Sequence, residues 1–492
     1  VIPDGQRPVA ALLRDLTGAE PIETHISAIY VGAADAFKLK KAVRLPFIDQ
    51  SSLAARERLA RRELELNRPQ APGIYRDVVP VTRGADGALR LGGAGEAVEW
   101  VLRLAPVPAG DFLDVVAARG ALDGAMLDRL ADAVAALHAA APVADGVDPV
   151  ARMGLVLDGN VAGCLEAGLD RARVEAVAAA MRARLAALAP LMARRAAAGL
   201  VRRCHGDLHL GNLCLWEGRP TAFDALEFDE ALARIDIGYD LAFLLMDLEV
   251  RVGRAAANRV LNRVLARGFD IACLGAMPFW LAQRALVRAK LEPARGRAGL
   301  PYLEAAERFL APVAPRLVAV GGLQGTGKTW LARGLAPRLG VAPGALHLRT
   351  DEIRKRRAGL APEERLPPSA YAEAESRAVH AEMFAAAGEA LAAGHSVILD
   401  AVFLDPAQRA AAEAVAREAG VPFTGLWLQA PLGVLRARVA ARRGDASDAT
   451  EEVLLRAAAA DPGPVRWQIL DAEGDPTAAA IAALALQRES GA

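Results

Sequence analysis

A chain of 492 residues, 53% of them hydrophobic, has room for two to four domains with cores of their own, at roughly 100–200 residues per domain. Its 59 Lys and Arg balance 59 Asp and Glu, so no global field draws it to nucleic acid or to an anionic membrane. Four scattered cysteines (Cys164, Cys204, Cys214 and Cys273) form no CxxC pair, and no uninterrupted apolar run reaches the roughly 18 residues of a membrane span, so the expectation is a cytoplasmic protein with free or buried thiols, no zinc site and no membrane partner.

The first twenty or so residues read as one short helix. From Thr24 the pattern changes to short alternating runs, ISAIYVG and AFKLKKAVRL, broken at Gly32 to Asp35, which predicts a β-hairpin. Alternation puts Lys38 and Lys40 on one face of the second strand and Leu39 on the other. A strand lysine facing a cleft is what a kinase uses to hold nucleotide phosphates, and it needs an acidic partner. Glu63, in the helix expected from Ser51 to about Asn67, is the candidate; no GxGxxG loop accompanies the lysines. YRDVVPV, ALRLGG and AVEWVLRLAPV extend the same small sheet, and Val98 to Val107 leads out of it as a hinge. Helices follow. One runs from Asp123 to Ala140 with an apolar stripe and a structural histidine, His138, near its end, and another covers the alanine-rich run from Val177 to Ala198.

Val201 to Asp229 is the chemically densest stretch of this half. In HGDLHLGN, Asp207 and Asn212 have the separation of Asp and Asn in the kinase loop HRDxxxxN. NLCLWEGRPTAFD then reads as two short strands around a Glu-Gly turn, a hairpin able to bring Asn212 and Asp224 together on magnesium. Asp207 is left to accept the proton of an attacking hydroxyl.

HGDLHLGN followed by FDALEF resembles the aminoglycoside phosphotransferase-like kinases, whose loop has Gly where protein kinases have Arg. The resemblance implies a two-lobed, α+β protein-kinase-like fold, with Asp207 as base, Asn212 and Asp224 as magnesium ligands, and Lys38 or Lys40 on phosphate. DAL stands where protein kinases have DFG, and no APE-type segment follows, which favours a small-molecule acceptor. Asp236 and Asp240 take structural roles bracing the loop, and Glu227 is a further candidate for the metal.

Helices fill residues from about Val250 to Leu310, and APVAP forms a stiff linker, dividing the chain into domains 1–312 and 313–492. Beyond it, RLVAVGG reads as a buried strand, and GLQGTGKT matches GxxxxGKS/T directly ahead of a helix. Gly322, Gly325 and Gly327 shape a phosphate cradle of backbone NH groups, Lys328 reaches the β and γ phosphates, and Thr329 binds magnesium. ALHLRTDEIRKR places Asp351 and Arg354 at the end of a second strand, and SVILDAVF is a third strand ending in Asp400, a Walker-B-like acid. LRARVAARRGDASDA puts Arg438 and Arg442 four apart on one helical face.

Strands alternating with helices predict an α/β domain with a mostly parallel sheet. The region resembles the gluconate kinase, zeta-toxin and polynucleotide-kinase group of P-loop kinases, which implies that Asp351 and Arg354 orient an acceptor and that Arg438 and Arg442 meet the transferring phosphate. From about Thr24 to Ala472 the chain resembles the bifunctional aminoglycoside phosphotransferase/ATP-binding proteins. The implied function is a pair of ATP- and magnesium-dependent phosphotransferases (kinases) with an alcohol group on a small molecule as acceptor. The alternatives are a nucleotide-dependent sensor in which one domain controls the other, and a C-terminal nucleotide or polynucleotide 5'-kinase; zero net charge and few aromatics argue against an extended nucleic-acid surface, which a single nucleotide or a strand end does not need.

Overall fold

The computed structural model describes residues 1–45, 48–441 and 447–484. The chain forms two compact units, Val1–Arg152 with Ala193–Asp247, and Met153–Met192 with Leu248–Ala492.

In the first unit, α1 (Arg7–Thr17) precedes β1 (Ile22–Glu23), β2 (Ser27–Val31) and β3 (Ala36–Lys40). Helix α2 (Leu53–Asn67) follows, its first turn capped by Ser52, and then β4 (Tyr75–Arg83), β5 (Leu89–Leu91) and β6 (Glu96–Leu104). The six strands form one antiparallel sheet in the order β1-β2-β3-β6-β4-β5. All five residues of β3 are buried. Phe37 and Leu39 join Val9, Ala10 and Leu13 of α1 in a core, which leaves Lys38 and Lys40 on the opposite face, as alternation requires.

Helix α3 (Gly124–Ala140), capped by Asp123, leads toward two short antiparallel pairs: β7 (Val201–Arg203) with β10 (Arg234–Asp236), and β8 (Leu213–Trp216) with β9 (Arg219–Ala222). Glu217 and Gly218, both at positive φ, make the turn between β8 and β9.

Helix α4 (Arg171–Ala197) is long and apolar enough by composition to cross a membrane. In the part up to Met192, which belongs to the second unit, Val174, Val177, Met181 and Leu185 are buried and Arg173 pairs with Glu307 at 2.7 Å. Further helices include α5 (Ile237–Arg251), α6 (Arg254–Gly268) and α7 (Met277–Leu291), the last with Trp280, Leu281 and Leu286 fully buried.

A five-stranded parallel sheet follows, built from β11 (Leu317–Gly322), β12 (Leu346–Arg349), β13 (Val397–Asp400), β14 (Phe423–Gln429) and β15 (Gln468–Asp471) in the order β12-β13-β11-β14-β15. This is the expected α/β architecture. β11 lies at its centre with all six residues buried, so a continuous apolar run was the right signal for a strand covered on both faces. One expectation is corrected in detail: the chain turns helical at Thr350, so Asp351 and Arg354 lie on α8 (Thr350–Arg357), just beyond β12.

Candidate active sites

In the first unit, β3 and α2 deliver a buried charge network. Lys38 Nζ donates to Glu63 Oε1 at 2.8 Å and to Asp224 Oδ1 at 2.6 Å, while Lys40 Nζ donates to Glu63 Oε2 at 2.8 Å and to Glu227 Oε1 at 2.5 Å. Glu63 therefore bridges both lysines and is wholly buried. Burial pushes its carboxyl up, but the two ammonium groups outweigh it and hold it at about 2. Burial works against the charge on Lys38 too, yet Asp224 and Glu63 keep it well above the ordinary lysine value. Three carboxylates face two cations, and the excess falls on Glu227, raised by burial and by Glu63 despite the pull of Lys40.

The HGDLHLGN loop connects β7 to β8. Gly206 has φ 87°, and a Cβ there would come within 3.1 Å of Leu226 Cβ, so this turn requires glycine. Its NH donates to Asp240 Oδ1 at 2.9 Å, and Asp240 Oδ2 lies 2.9 Å from His138 Nε2. Asp236 instead takes a paired grip from Arg195, at 2.7 and 2.8 Å. Leu210 NH donates to Asp247 Oδ2 at 3.1 Å, a second brace from α5. Within the loop, Asn212 Nδ2 donates to both the carbonyl and Oδ2 of Asp207, each at 2.9 Å.

His205 Nε2 lies 2.9 Å from the Phe223 carbonyl, which can only accept, so that nitrogen carries the proton and Nδ1 accepts from Asp207 NH at 3.3 Å. Burial lowers the His205 pKa and favours this neutral ring. Asp224 sits at φ 60°, a conformation uncommon for a non-glycine residue. Its NH donates to Tyr75 Oη at 3.0 Å and that of Ala225 to Asn67 Oδ1 at 2.8 Å, so α2 and β4 hold the strained turn that aims Asp224 at Lys38.

In the second unit, the loop after β11 has Gly322, Gly325 and Gly327 at φ 133°, 85° and 87°. A Cβ at Gly322 would meet the Leu428 carbonyl at 2.4 Å, and one at Gly325 the Leu435 carbonyl at 2.8 Å. Lys328 Nζ donates to the carbonyls of Gly322 and Leu323 at 2.8 and 2.9 Å, and Thr329 Oγ1 donates to Asp400 Oδ2 at 2.6 Å. Parallel register sets Asp400 beside Val320, at the carboxyl ends of the strands where α/β sheets present their ligand sites. Burial pushes the Asp400 carboxyl up, but His347, Arg349 and Lys328 overcome it and hold it well below the usual carboxylate range.

A cavity of about 1080 Å³ lies over the loop and is lined by Lys328, Thr329, Asp351, Arg354 and Asp400 among others. Burial raises the Asp351 carboxyl from its ordinary value against the pull of Arg349. Arg354 donates to the Ala370 carbonyl at 2.7 Å and lies 4.9 Å from the Tyr371 ring centre. Arg438 departs from expectation. It does not line the cavity, and its guanidinium reaches the carbonyls of Ala472, Glu473 and Gly325 at 2.7, 2.8 and 3.4 Å. The reason is local, since Leu435 and Val439 of the helix Leu432–Ala441 pack directly on the loop at Gly325 and turn Arg438 toward backbone oxygens. Arg442 lies outside the described residues.

Sequence reasoning missed Asn67, Tyr75, His205, Asp247, His347, Arg349 and Tyr371. Asp247 had a signal: it lies two helical turns after Asp240, directly after the apolar run Leu241 to Met246, where a carboxylate needs a buried donor. Asn67 and Tyr75 had none, because they meet the Asp224–Ala225 turn only through folding.

A model of the phosphotransferase enzyme family matches residues 33–276, and a model described as an AAA domain matches residues 317–461. Uncharacterized proteins of Mycobacterium bovis and Mycobacterium tuberculosis are 31% identical over 463 residues, covering 89% of this chain and 89% of theirs. Among solved structures, a gluconokinase from Sinorhizobium meliloti 1021 is 23% identical over 35% of this chain and 92% of its own, with a TM-score of 0.25. An aminoglycoside-3'-phosphotransferase of type VIII is 20% identical over 57% of this chain and 100% of its own, with a TM-score of 0.32.

Fold and family matches together define a kinase-class protein, with a two-lobed phosphotransferase domain and a P-loop kinase-like domain on one chain. The chain belongs to the bifunctional aminoglycoside phosphotransferase/ATP-binding protein family.

Proposed function

We propose that each half transfers phosphate from ATP to a hydroxyl group of a small molecule, with Mg2+ as the metal. At the first site Asp207 accepts the hydroxyl proton, and Asn212 orients its carboxylate by donating to Oδ2 at 2.9 Å. Lys38 is the lysine placed on phosphate, because its ammonium reaches Asp224, whereas Lys40 is turned to Glu227 and fixes Glu63. At the second site the glycine loop and Lys328 hold phosphate, and Asp351, made more basic by burial, accepts the proton with Arg354 beside it. The oxygen donors Asn212 and Asp224, and Thr329 and Asp400, are of the hard type that Mg2+ takes, and the ion supplies charge neutralisation on phosphate oxygens when bound. Arg438 is better read as a brace for the loop than as a group on the transferred phosphate.

The observation that carries this reading is the meeting of Glu63 and Asp224, from two separate segments, on the one ammonium of Lys38. The experiment is metabolite profiling with labelled ATP, using the wild type, Asp207→Asn and Lys328→Ala. Asp207→Asn should lower one set of products by roughly 10²–10⁴ and Lys328→Ala should remove another. Products unchanged by Asp207→Asn would show that the assigned base is wrong, and nucleotide binding without turnover at either site would favour a sensor.

A further inference from the structure

Among the described residues β12 is an edge strand, paired with β13 on one side alone. Leu346 NH is used on that side, donating to the Ser396 carbonyl at 2.9 Å. Strand alternation therefore turns the Ala345 carbonyl and the His347 NH the other way, where a further strand would lie. Asn262 of α6 occupies that place with a single amide: Nδ2 donates to the Ala345 carbonyl at 3.1 Å, and Oδ1 accepts from His347 NH at 2.7 Å. The same pair of bonds would come from a residue of a neighbouring strand. Asn258, one turn earlier, donates to the Ala345 carbonyl at 3.0 Å and packs so closely that a Cβ at Gly344 would meet its Nδ2 at 2.8 Å. Arg254 adds a bond to the Gly340 carbonyl at 2.6 Å. All of these residues lie in the second unit, although α6 falls within the residues matched by the phosphotransferase family.

The residue clamped in this way is not passive. His347 Nε2 lies 3.2 Å from Asp400 Oδ2, the oxygen that accepts from Thr329 at 2.6 Å. We propose that Asn262 is a positioning residue for the P-loop site: it stands in for the missing strand at the edge of β12, fixes the His347 backbone, and so holds the imidazole on Asp400 and the Asp400–Thr329 pair in place. This rests on the reading of the second site as a Mg2+-dependent nucleotide site.

The test uses the full chain as wild type, Asn262→Ala, Asn262→Asp, Asn258→Ala and Lys328→Ala. Hydrogen exchange is followed at residues 345–349, and ATP affinity is measured with and without Mg2+, taking the part that Lys328→Ala removes. Asn262→Ala should speed exchange at His347 and cut the Mg2+-dependent gain in affinity by about tenfold, the lower end of what partners behind a metal ligand are worth. Asn262→Asp keeps the acceptor for His347 NH and should retain most of the gain. Asn258→Ala removes the Oδ1 that accepts from Asn262 Nδ2 at 3.1 Å but leaves Asn262 Oδ1 on the His347 NH, so it should lower stability and keep most of the gain. A folded Asn262→Ala protein with the wild-type gain overturns the proposal. If that variant does not fold, loss of the gain in Asn262→Asp overturns it instead. Absence of any Lys328-dependent binding in the wild type overturns the reading of the second site, and this inference with it.

Discussion

The second unit draws its phosphate-loop geometry from one stretch of backbone, whereas the first assembles its site from side chains on separate elements. Gly322 to Thr329 begins at the end of a central buried strand, and its shape is set by positive φ at three glycines and by the absence of a Cβ at Gly322 and Gly325. The first site instead needs β3 for its lysines, α2 for Glu63 and Asn67, β4 for Tyr75, and the segment after β9 for Asp224 and Glu227. A backbone site should fail through sterics at single positions. A side-chain network should fail through charge left unpaired inside the protein.

The largest expected effect breaks the network. Glu63→Ala removes the carboxylate that bridges both lysines and should cost about 3–5 kcal/mol, the usual penalty for leaving a buried ion unpaired, read by urea unfolding. Glu63→Gln keeps the shape and some hydrogen bonding and should cost less; equal losses in the two variants would mean that packing, rather than charge, dominates. The matching test on the backbone side is Gly322→Ala. Its Cβ would meet the Leu428 carbonyl, and its φ disfavours any side chain, so a loss of about 1–3 kcal/mol and weakened ATP binding at the second site are expected. Normal binding by that variant would show that the loop can shift its backbone. The smallest effect concerns the cysteines. Burial pushes the thiols of Cys164 and Cys214 up to about 11 and about 12, so at pH 8 both hold far less thiolate than in the unfolded chain. Alkylation should be slow until denaturant opens the fold, and rapid native labelling of Cys214 would contradict its buried position beside the hinge and hairpin.

Contiguous motifs were legible because their chemistry depends on local spacing. HGDLHLGN put Asp207 and Asn212 in one loop, and 2.9 Å between them follows from five residues of tight chain. Alternation in FKLKK placed both lysines on one face before any partner was known. The direction of Arg438 was not legible, because helical spacing says which residues share a face and not what that face meets.

The amino-acid sequence by itself determined the two-part α+β and α/β architecture, the order of the motifs and the residues around each, since periodicity, glycine and short-range spacing act along the chain. Only the tertiary structure decided that Lys38 meets Asp224 while Lys40 meets Glu227, that Asn67 and Tyr75 hold the Asp224 turn, and that Asn262 closes the edge of β12. The physical reason is common to all three. Each is a polar group taken from water by packing between distant segments, and its partner is whatever donor or acceptor the fold brings within 3 Å or so.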